Sequence, residues 1–197
     1  MESAAVREGK DDVIMLRDYQ KDICNRTVEA FRSHRSVMVQ MPTGTGKTVV
    51  LASLVNSVKL GCANILIVAH RRELVEQIRE TIRRLGIDDG NITVCSIQWL
   101  TYNINKVKEV PQLVVIDEAH HALAKTYRMM WETWHEARFL GLTATPCRMN
   151  CAGFTDLFEV LLTSHSIGQF IREGWLSLFD YYSIKADSEE QMIIDSL

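Results

Sequence analysis

Four short apolar runs recur along the chain, and none of them alternates polar with apolar residues. They are Val37–Val39, Ile65–Val68, Leu113–Ile116 and Phe139–Leu142. A strand that is apolar on both faces is typical of a parallel sheet with helices on each side, whereas a half-exposed strand alternates. The pattern therefore predicts a parallel sheet that is buried on both faces.

Segments of helical length separate these runs. In RRELVEQIRETIRRLG, residues 71–86, the apolar residues fall on one helical face, Arg and Glu lie opposite, and Gly86 is the predicted stop. Strands that alternate with helices form doubly wound sheets. We therefore predict a doubly wound α/β fold, with a mainly parallel sheet and helices on both faces.

A polar cluster follows each of the four apolar runs. The clusters are PTGTGKT at 42–48, AHRRE at 69–73, DEAH at 117–120 and TATP at 143–146. Ligands of doubly wound sheets bind at the carboxyl ends of the strands. The order of runs and clusters thus predicts one ligand-binding edge.

The first cluster has the character of a phosphate-binding loop. The general pattern G-x-x-x-x-G-K-[ST] has its first glycine where Met41 stands, which is acceptable if Met41 ends the strand and the turn begins after it. A tight glycine turn before a helix presents N–H groups to an anion, Lys47 would reach the β- and γ-phosphates, and the Thr48 hydroxyl would bind Mg²⁺. The predicted ATP-binding residues of this loop are Pro42, Thr43, Gly44, Thr45, Gly46, Lys47 and Thr48.

An acidic pair ends the third apolar run. Asp117 fits a magnesium partner that acts through water, and Glu118 fits the base that orients the attacking water in phosphoryl transfer. The alternative is an acidic first turn of a helix. The phosphate loop nearby in the sheet favours the catalytic interpretation, with Lys47 as a further catalytic residue and with ATP and Mg²⁺ as cofactors.

PTGTGKT, DEAH and TATP, in that order, resemble the first RecA-like domain of the superfamily 2 DEAD/DEAH-box helicases and translocases, whose first motif commonly lacks the leading glycine. LRDYQ, GLTATP and SIGQFIREGWL are most similar to the XPB-like group. The resemblance runs from LRDYQ to FIREGWLS. It implies an ATP-hydrolysing motor that acts on nucleic acid, DNA in preference to RNA.

The resemblance also implies roles for single residues. Arg17 and Gln20 would recognise adenine, although the pattern alone would put them on the exposed face of the first helix. His120 would couple the γ-phosphate to the later motif; the alternative is a core histidine. Thr143 and Thr145 would link nucleotide state to domain movement, whereas β-branched residues that end a strand are the alternative.

Nucleic-acid contacts are implied after the second strand and in TVCSIQWL. Arg71 and Arg72 would bind phosphates beside a helix N-terminus, with a charged first helical turn as the alternative for Arg72. Ser96 and Gln98 would contact phosphate or sugar. Trp99 is predicted to be a core residue and not a base-stacking platform.

The predicted organisation is a lead-in at 1–15, a RecA-like ATP-binding domain at 16–184 and a linker at 185–197. Family members hydrolyse ATP between two RecA-like domains, and the second supplies arginine fingers. No glycine- and arginine-rich motif of that kind follows residue 150. We therefore expect a second RecA-like domain as a partner, and weak nucleotide binding and poor hydrolysis by this chain alone.

Composition narrows the class of protein. No apolar run approaches the length of a membrane span and the N-terminus has no secretory signal, so we predict a cytoplasmic protein without a membrane partner. The five cysteines lack zinc-site spacing, which predicts reduced thiols and no metal cluster. A net charge of −3 excludes a uniformly basic surface but allows a local basic groove.

Other functional classes stay open at this point. One is a nucleotide-dependent interaction or regulatory module, against which the intact acidic pair argues. Another is a P-loop ATPase that does not bind nucleic acid, against which AHRRE and TATP argue. A helicase and the motor subunit of a restriction-type translocase cannot be separated, because they differ in other domains.

Overall fold

The computed structural model describes four stretches of the chain, residues 16–58, 61–121, 125–145 and 157–178. The chain divides into two compact units, Met1–Ser166 and Ile167–Leu197. The predicted lead-in and the predicted linker lie outside the described residues, so the predicted domain boundaries stay a prediction.

The first unit alternates helices with strands. Its elements are α1 (Asp18–Ala30), β1 (Ser36–Gln40), α2 (Lys47–Val58), β2 (Ile65–Ala69), α3 (Arg72–Arg84), β3 (Ile92–Ser96), α4 (Ile97–Asn103), β4 (Leu113–Asp117), α5 (Lys125–Thr133), β5 (Arg138–Thr143) and β6 (Val160–Thr163). Short 3-10 turns span Ile104–Lys106 and Ala119–His121. The described part of the second unit contains α6 (Ile167–Arg172), after which Gly174 turns the chain with a φ of 73°.

The six strands form one sheet in the order β3-β2-β4-β5-β1-β6, and every pairing is parallel. The predicted doubly wound α/β fold is therefore confirmed. The four apolar runs are the four central strands. The apolar pattern missed the edge strand β3 because it is only partly buried and the polar Thr93 interrupts it. It also missed the partly buried edge strand β6, although the first three residues of β6 are apolar.

Aromatic side chains fill the core on one face of the sheet. Phe139 of β5 is buried there with Phe158. Trp131 of α5 stacks on Phe139 with ring centroids 3.8 Å apart, and it meets Phe158 edge-on at 5.3 Å. Such pairs add about 0.5–1.5 kcal/mol beyond their burial. This packing holds α5 against the strand that ends at Thr143.

Gly141 lets the chain after β4 approach β5 closely. A Cβ at this position would lie 2.7 Å from Phe158 and 2.8 Å from Ala119. Because Ala119 belongs to the segment that carries the acidic pair, the missing side chain at Gly141 helps to position that segment. No helix in the described stretches combines the length and the apolar character that crossing a bilayer requires.

Candidate nucleotide site and nucleic-acid interface

Three neighbouring strands bring the chemical residues together. In the order β4-β5-β1, the register pairs Asp117 with Leu142 and Gln40 with Thr143. All three strands run in the same direction, so the phosphate loop after β1, the acidic pair after β4 and Thr143 of β5 lie at one edge. This is the carboxyl edge at which doubly wound sheets bind ligands.

Met41 extends β1 by one further hydrogen bond. Its side chain is 0% exposed, and its N–H donates to the Thr143 carbonyl at 2.9 Å. Its φ is not positive, so the conformational freedom of glycine is not required there. The chain leaves the strand at Pro42, where the sequence predicted the turn to begin.

Two glycines make the turn of the phosphate loop. Gly44 and Gly46 have φ values of 84° and 81°, in the left-handed region. Between them Thr45 is buried, and its hydroxyl donates to the Pro42 carbonyl at 2.7 Å. Since α2 begins at Lys47, the loop leads directly into the positive end of a twelve-residue helix.

Helix α1 holds the loop from one side. The Tyr19 hydroxyl and Gln20 Nε2 both donate to the Thr45 carbonyl, at 3.0 and 3.2 Å. Gln20 Oε1 accepts from the Arg17 N–H at 3.0 Å, and the Arg17 guanidinium donates to the Tyr19 hydroxyl at 3.1 Å. The role of Tyr19 was not predicted, although its position as the aromatic neighbour of Gln20 in LRDYQ is a signal for it.

The alternative placement, with Arg17 and Gln20 both on the exposed face of α1, is wrong for Gln20. Gln20 is 4% exposed and faces the phosphate loop, whereas Arg17 is exposed. Both ends of the Gln20 amide are hydrogen-bonded within the protein. Adenine recognition by Arg17 and Gln20 stays a prediction.

The acidic pair faces the lysine of the loop. Lys47 Nζ lies 3.9 Å from Glu118 Oε1, and the Lys47 side chain is only 11% exposed. Glu118 has a φ of 53°, in the region that favours glycine. A residue held there costs roughly 1–3 kcal/mol, and such residues cluster at functional sites.

Burial raises the pKa of the Asp117 carboxyl above its usual range, and the neighbouring Glu118 charge adds to the rise. A backbone hydrogen bond from Glu118 and the Lys47 charge work in the opposite direction and do not cancel it. A partly buried carboxylate with a second negative charge beside it favours a cation. Together with the Thr48 hydroxyl it offers oxygen ligands, which suit Mg²⁺. In the described part of the chain, no cluster of three His, Cys, Asp or Glu side chains forms a metal site of its own.

Polar contacts through His120 connect Glu118 with the end of β5. His120 Nδ1 lies 3.3 Å from Glu118 Oε2 and 3.0 Å from Thr143 Oγ1. The Thr143 hydroxyl donates its proton to the Thr145 carbonyl at 2.9 Å and accepts from the Thr145 N–H at 3.1 Å. Because that proton is used, the hydroxyl accepts from His120, which places a hydrogen on Nδ1.

His120 is thus partly buried between two polar partners and is not an apolar-core histidine. Thr143 is fully buried, whereas Thr145 is exposed. A β-branched residue that merely ends a strand would not need a hydroxyl bonded on three sides. The coupling role of these residues stays a prediction.

The predicted nucleic-acid contacts lie along the same edge of the sheet. Arg71 has an extended backbone and precedes the first residue of α3, Arg72, and both are exposed. The register pairs Ala69 of β2 with Ser96 of β3. The structure therefore brings the two arginines close to the segment that contains Ser96 and Gln98.

Ser96 and Gln98 have structural contacts of their own. The Ser96 hydroxyl accepts from the Trp99 N–H at 3.2 Å and caps α4. Gln98 Nε2 donates to the His70 carbonyl at 2.8 Å and ties α4 to the end of β2. Contact of either residue with nucleic acid stays a prediction.

The prediction that Trp99 is a core residue is wrong. Its side chain is 44% exposed, because the buried positions of α4 are Ile97 and Leu100. A helix of seven residues at the edge of the sheet buries only one narrow face. The indole therefore stands partly in solvent.

Comparison with known proteins agrees with this architecture. The family described as "Type III restriction enzyme, res subunit" matches residues 13–148. DNA 3'-5' translocase XPB2 of Sulfurisphaera tokodaii is 32% identical over 162 residues, covering 77% of this chain and 35% of that protein. The Type I restriction enzyme EcoAI endonuclease subunit of Escherichia coli is 26% identical over 200 residues, covering 89% of this chain and 25% of that protein.

A solved structure shows the same fold. The Hef helicase domain of Pyrococcus furiosus superposes with a TM-score of 0.66 at 21% identity, covering 78% of this chain and 39% of that one. The chain spans between about a quarter and a third of the length of the two curated relatives. With its matched sequence motifs and its parallel sheet, the chain belongs to the Type III restriction enzyme res-subunit family and is the first RecA-like domain of a superfamily 2 protein.

Proposed function

We propose that this chain is the first motor domain of an ATP-dependent helicase or translocase that acts on DNA. The observation that carries the proposal is the line of polar contacts from Lys47 through Glu118 and His120 to Thr143. It connects a phosphate-binding loop to a second strand end, as a motor requires when nucleotide state must change protein conformation.

The residues divide the chemistry as follows. Lys47 exchanges its Glu118 partner for the β- and γ-phosphates, and the N–H groups at the start of α2 hold the same phosphates. Glu118 then orients the water whose oxygen bonds to the γ-phosphorus while the bond to ADP breaks, and it takes up the water proton. Thr48 and Asp117 would hold Mg²⁺, which neutralises phosphate charge when bound.

We further propose that a second RecA-like domain completes this site with arginine side chains. An arginine finger contributes on the order of 10³–10⁵ in rate in related phosphoryl-transfer systems. Hydrolysis by the 197-residue chain alone is therefore slow. A cytoplasmic location stays a prediction.

Two substitutions test the nucleotide site. Lys47→Ala should abolish binding of a fluorescent ATP analogue, because it removes the cation that faces the phosphates. Glu118→Gln should keep binding and lose whatever hydrolysis the wild-type chain shows. The matched control is Lys21→Ala, since Lys21 is exposed on α1 and pairs only with Asp18 among the described residues. Normal hydrolysis by Glu118→Gln would contradict the assignment of the base.

The second candidate is a regulatory module that uses ATP as a switch. The acidic pair speaks against it, because a switch that only binds nucleotide does not need a base held at positive φ. This candidate predicts that Glu118→Gln and wild type behave alike, with no hydrolysis in either under any nucleic-acid condition. The family match equally supports the motor subunit of a restriction-type translocase as a form of the main proposal.

A further inference from the structure

Trp99 is a wall of two clefts at the β3 edge of the sheet. The larger, about 550 Å³, lies between α3 and β3 and is lined by Arg72, Val75, Glu76, Arg79, Thr93, Val94, Cys95, Ser96 and Trp99. The smaller, about 320 Å³, lies on the other side and also includes Thr93, Lys106 and Lys108. Thr93 and Trp99 thus form the ridge between them.

The larger cleft has an apolar floor and a cationic mouth. Val75, Val94 and Cys95 are buried in its lining. Arg79 is already committed, because it donates to Glu76 at 3.0 Å and to the Val94 carbonyl at 2.7 Å. Arg72 is exposed and pairs with no acidic residue in the described stretches, so its charge is available to a ligand.

The smaller cleft is also lined by more basic than acidic side chains. Two lysines, Lys106 and Lys108, line it together with one glutamate, Glu109. Each cleft therefore carries an excess of positive charge beside a shared, half-exposed indole. An anionic chain with flat apolar groups complements that combination better than a neutral or acidic peptide does.

The clefts also adjoin the proposed nucleic-acid interface. Arg72 and Ser96, two of the predicted backbone contacts, line the larger cleft with Trp99. We propose that Trp99 is a stacking platform for an unpaired nucleobase, with Arg72 binding the adjoining phosphate. The inference rests on the proposed function and deepens it, because only a single strand or a displaced strand presents an unpaired base.

Stacking on an aromatic side chain has a distinct signature. It contributes to single-strand binding with little dependence on sequence, since every base has a π-face. A duplex hides those faces, so its phosphates can reach Arg71 and Arg72 without involving the indole. The ratio of single-strand to duplex affinity is therefore the quantity that depends on Trp99.

The test measures binding of the 197-residue chain to a dye-labelled oligothymidine and to a blunt duplex of equal length by fluorescence anisotropy. Trp99→Ala should weaken oligothymidine binding about tenfold, the scale of one stacked base, and leave duplex binding unchanged. Trp99→Phe should retain most of the single-strand affinity because it keeps an aromatic face. Ultraviolet cross-linking of the oligothymidine should label the peptide that contains Trp99.

The matched control is Tyr102→Ala. Tyr102 lies one turn further along α4, is 86% exposed and lies outside both clefts. The Tyr102→Ala variant should bind both the oligothymidine and the duplex with wild-type affinity. A shared loss in Tyr102→Ala and Trp99→Ala would mean that the whole helix, and not the indole in the clefts, makes the contact, and would overturn the proposal.

Other outcomes separate this inference from the proposed function. Wild-type affinity of Trp99→Ala for both nucleic acids would overturn the stacking role and leave Trp99 as a residue for docking a protein. An equal loss for single strand and duplex would also overturn it, because the indole would then contact backbone. No binding of either nucleic acid by the unaltered chain would contradict the proposed function itself.

Discussion

Asp117 illustrates a conflict between stability and function at the scale of one residue. It ends a buried strand beside Glu118, and burial followed by the Glu118 charge raises the pKa of its carboxyl. A group whose pKa is higher in the folded than in the unfolded chain binds more protons when folded, so stability falls as pH rises through that interval. Ionisation of this carboxyl in the folded chain therefore lowers the stability of the fold in the absence of a cation.

Asp117→Asn should raise the thermal midpoint of the ligand-free chain at pH 7 and weaken Mg²⁺-dependent ATP binding. The amide has nearly the same shape and can still accept the backbone hydrogen bond, but it carries no charge. The gain in midpoint should shrink as pH falls toward the ordinary value of 3.8, because the wild-type carboxyl then becomes protonated. Thermal denaturation across pH checks this.

The control for that comparison is Asp89→Asn, at an exposed position in the turn before β3. Its midpoint should follow that of wild type at every pH. If the ligand-free Asp117→Asn chain were less stable than wild type at pH 7, the carboxylate would stabilise the folded state, which would contradict this prediction.

At the scale of elements, the contact between α1 and the phosphate loop depends on an absent side chain. Gly46 has a φ of 81°, and a Cβ there would lie 2.6 Å from Gln20 Nε2. With any other residue at position 46, the Gln20 amide would have to move away from the loop. The same approach allows Tyr19 and Gln20 to share the Thr45 carbonyl.

Gly46→Ala should lower both stability and nucleotide affinity. The matched comparison is Gly86→Ala at the end of α3, where φ is 65° and nothing lies within 4 Å of the added Cβ. Alanine in the left-handed backbone region costs about 1–2 kcal/mol. Gly86→Ala should therefore lower the free energy of unfolding by that amount and keep wild-type nucleotide affinity. Gly46→Ala should lose more stability than Gly86→Ala, because Gln20 must also move. Chemical denaturation and nucleotide titration measure the two effects, and equal losses would contradict the role of the α1 contact.

At the scale of the whole molecule, a single sheet edge carries the two proposed sites side by side. The nucleotide residues follow β1, β4 and β5, and the proposed nucleic-acid residues follow β2 and β3. Strand β2 lies directly beside β4, so the two sites share adjoining strands. A change of nucleotide can therefore reach the nucleic-acid side through the loops of neighbouring strands.

The whole-molecule prediction concerns the charge dependence of DNA binding. The logarithm of duplex affinity should fall with the logarithm of salt concentration, with a slope near −0.9 for each phosphate contacted, in spite of the net charge of −3. Arg71→Ala should make that slope shallower by about one contact. Arg32→Ala is the control, since Arg32 follows α1 and pairs with Glu29. Equal slopes for both variants would contradict the placement of Arg71 at the phosphates.

The order of the motifs and the apolar runs was sufficient to predict the fold class and the central strands. A strand that is buried on both faces is recognisable because its apolar run contains no polar residue. A glycine turn followed by lysine, between a strand and a helix, is typical of a phosphate-binding loop. Edge strand β3 escaped prediction because solvent on one side permits the polar Thr93, and β6 escaped although its first three residues are apolar. The burial of Gln20 also escaped, because helical spacing does not tell which neighbour covers a face.

Tertiary structure alone decided which side chains meet. Lys47 and Glu118 are separated by 71 positions along the chain, and only the placement of β5 between β1 and β4 sets them 3.9 Å apart. The burial that raises the pKa of the Asp117 carboxyl likewise depends on β5, with which the end of β4 pairs. The sequence by itself determined the fold class and the motif order, because these follow from local pattern. Strand order decided the contacts of the site, and strand order depends on packing between segments that are far apart in the sequence.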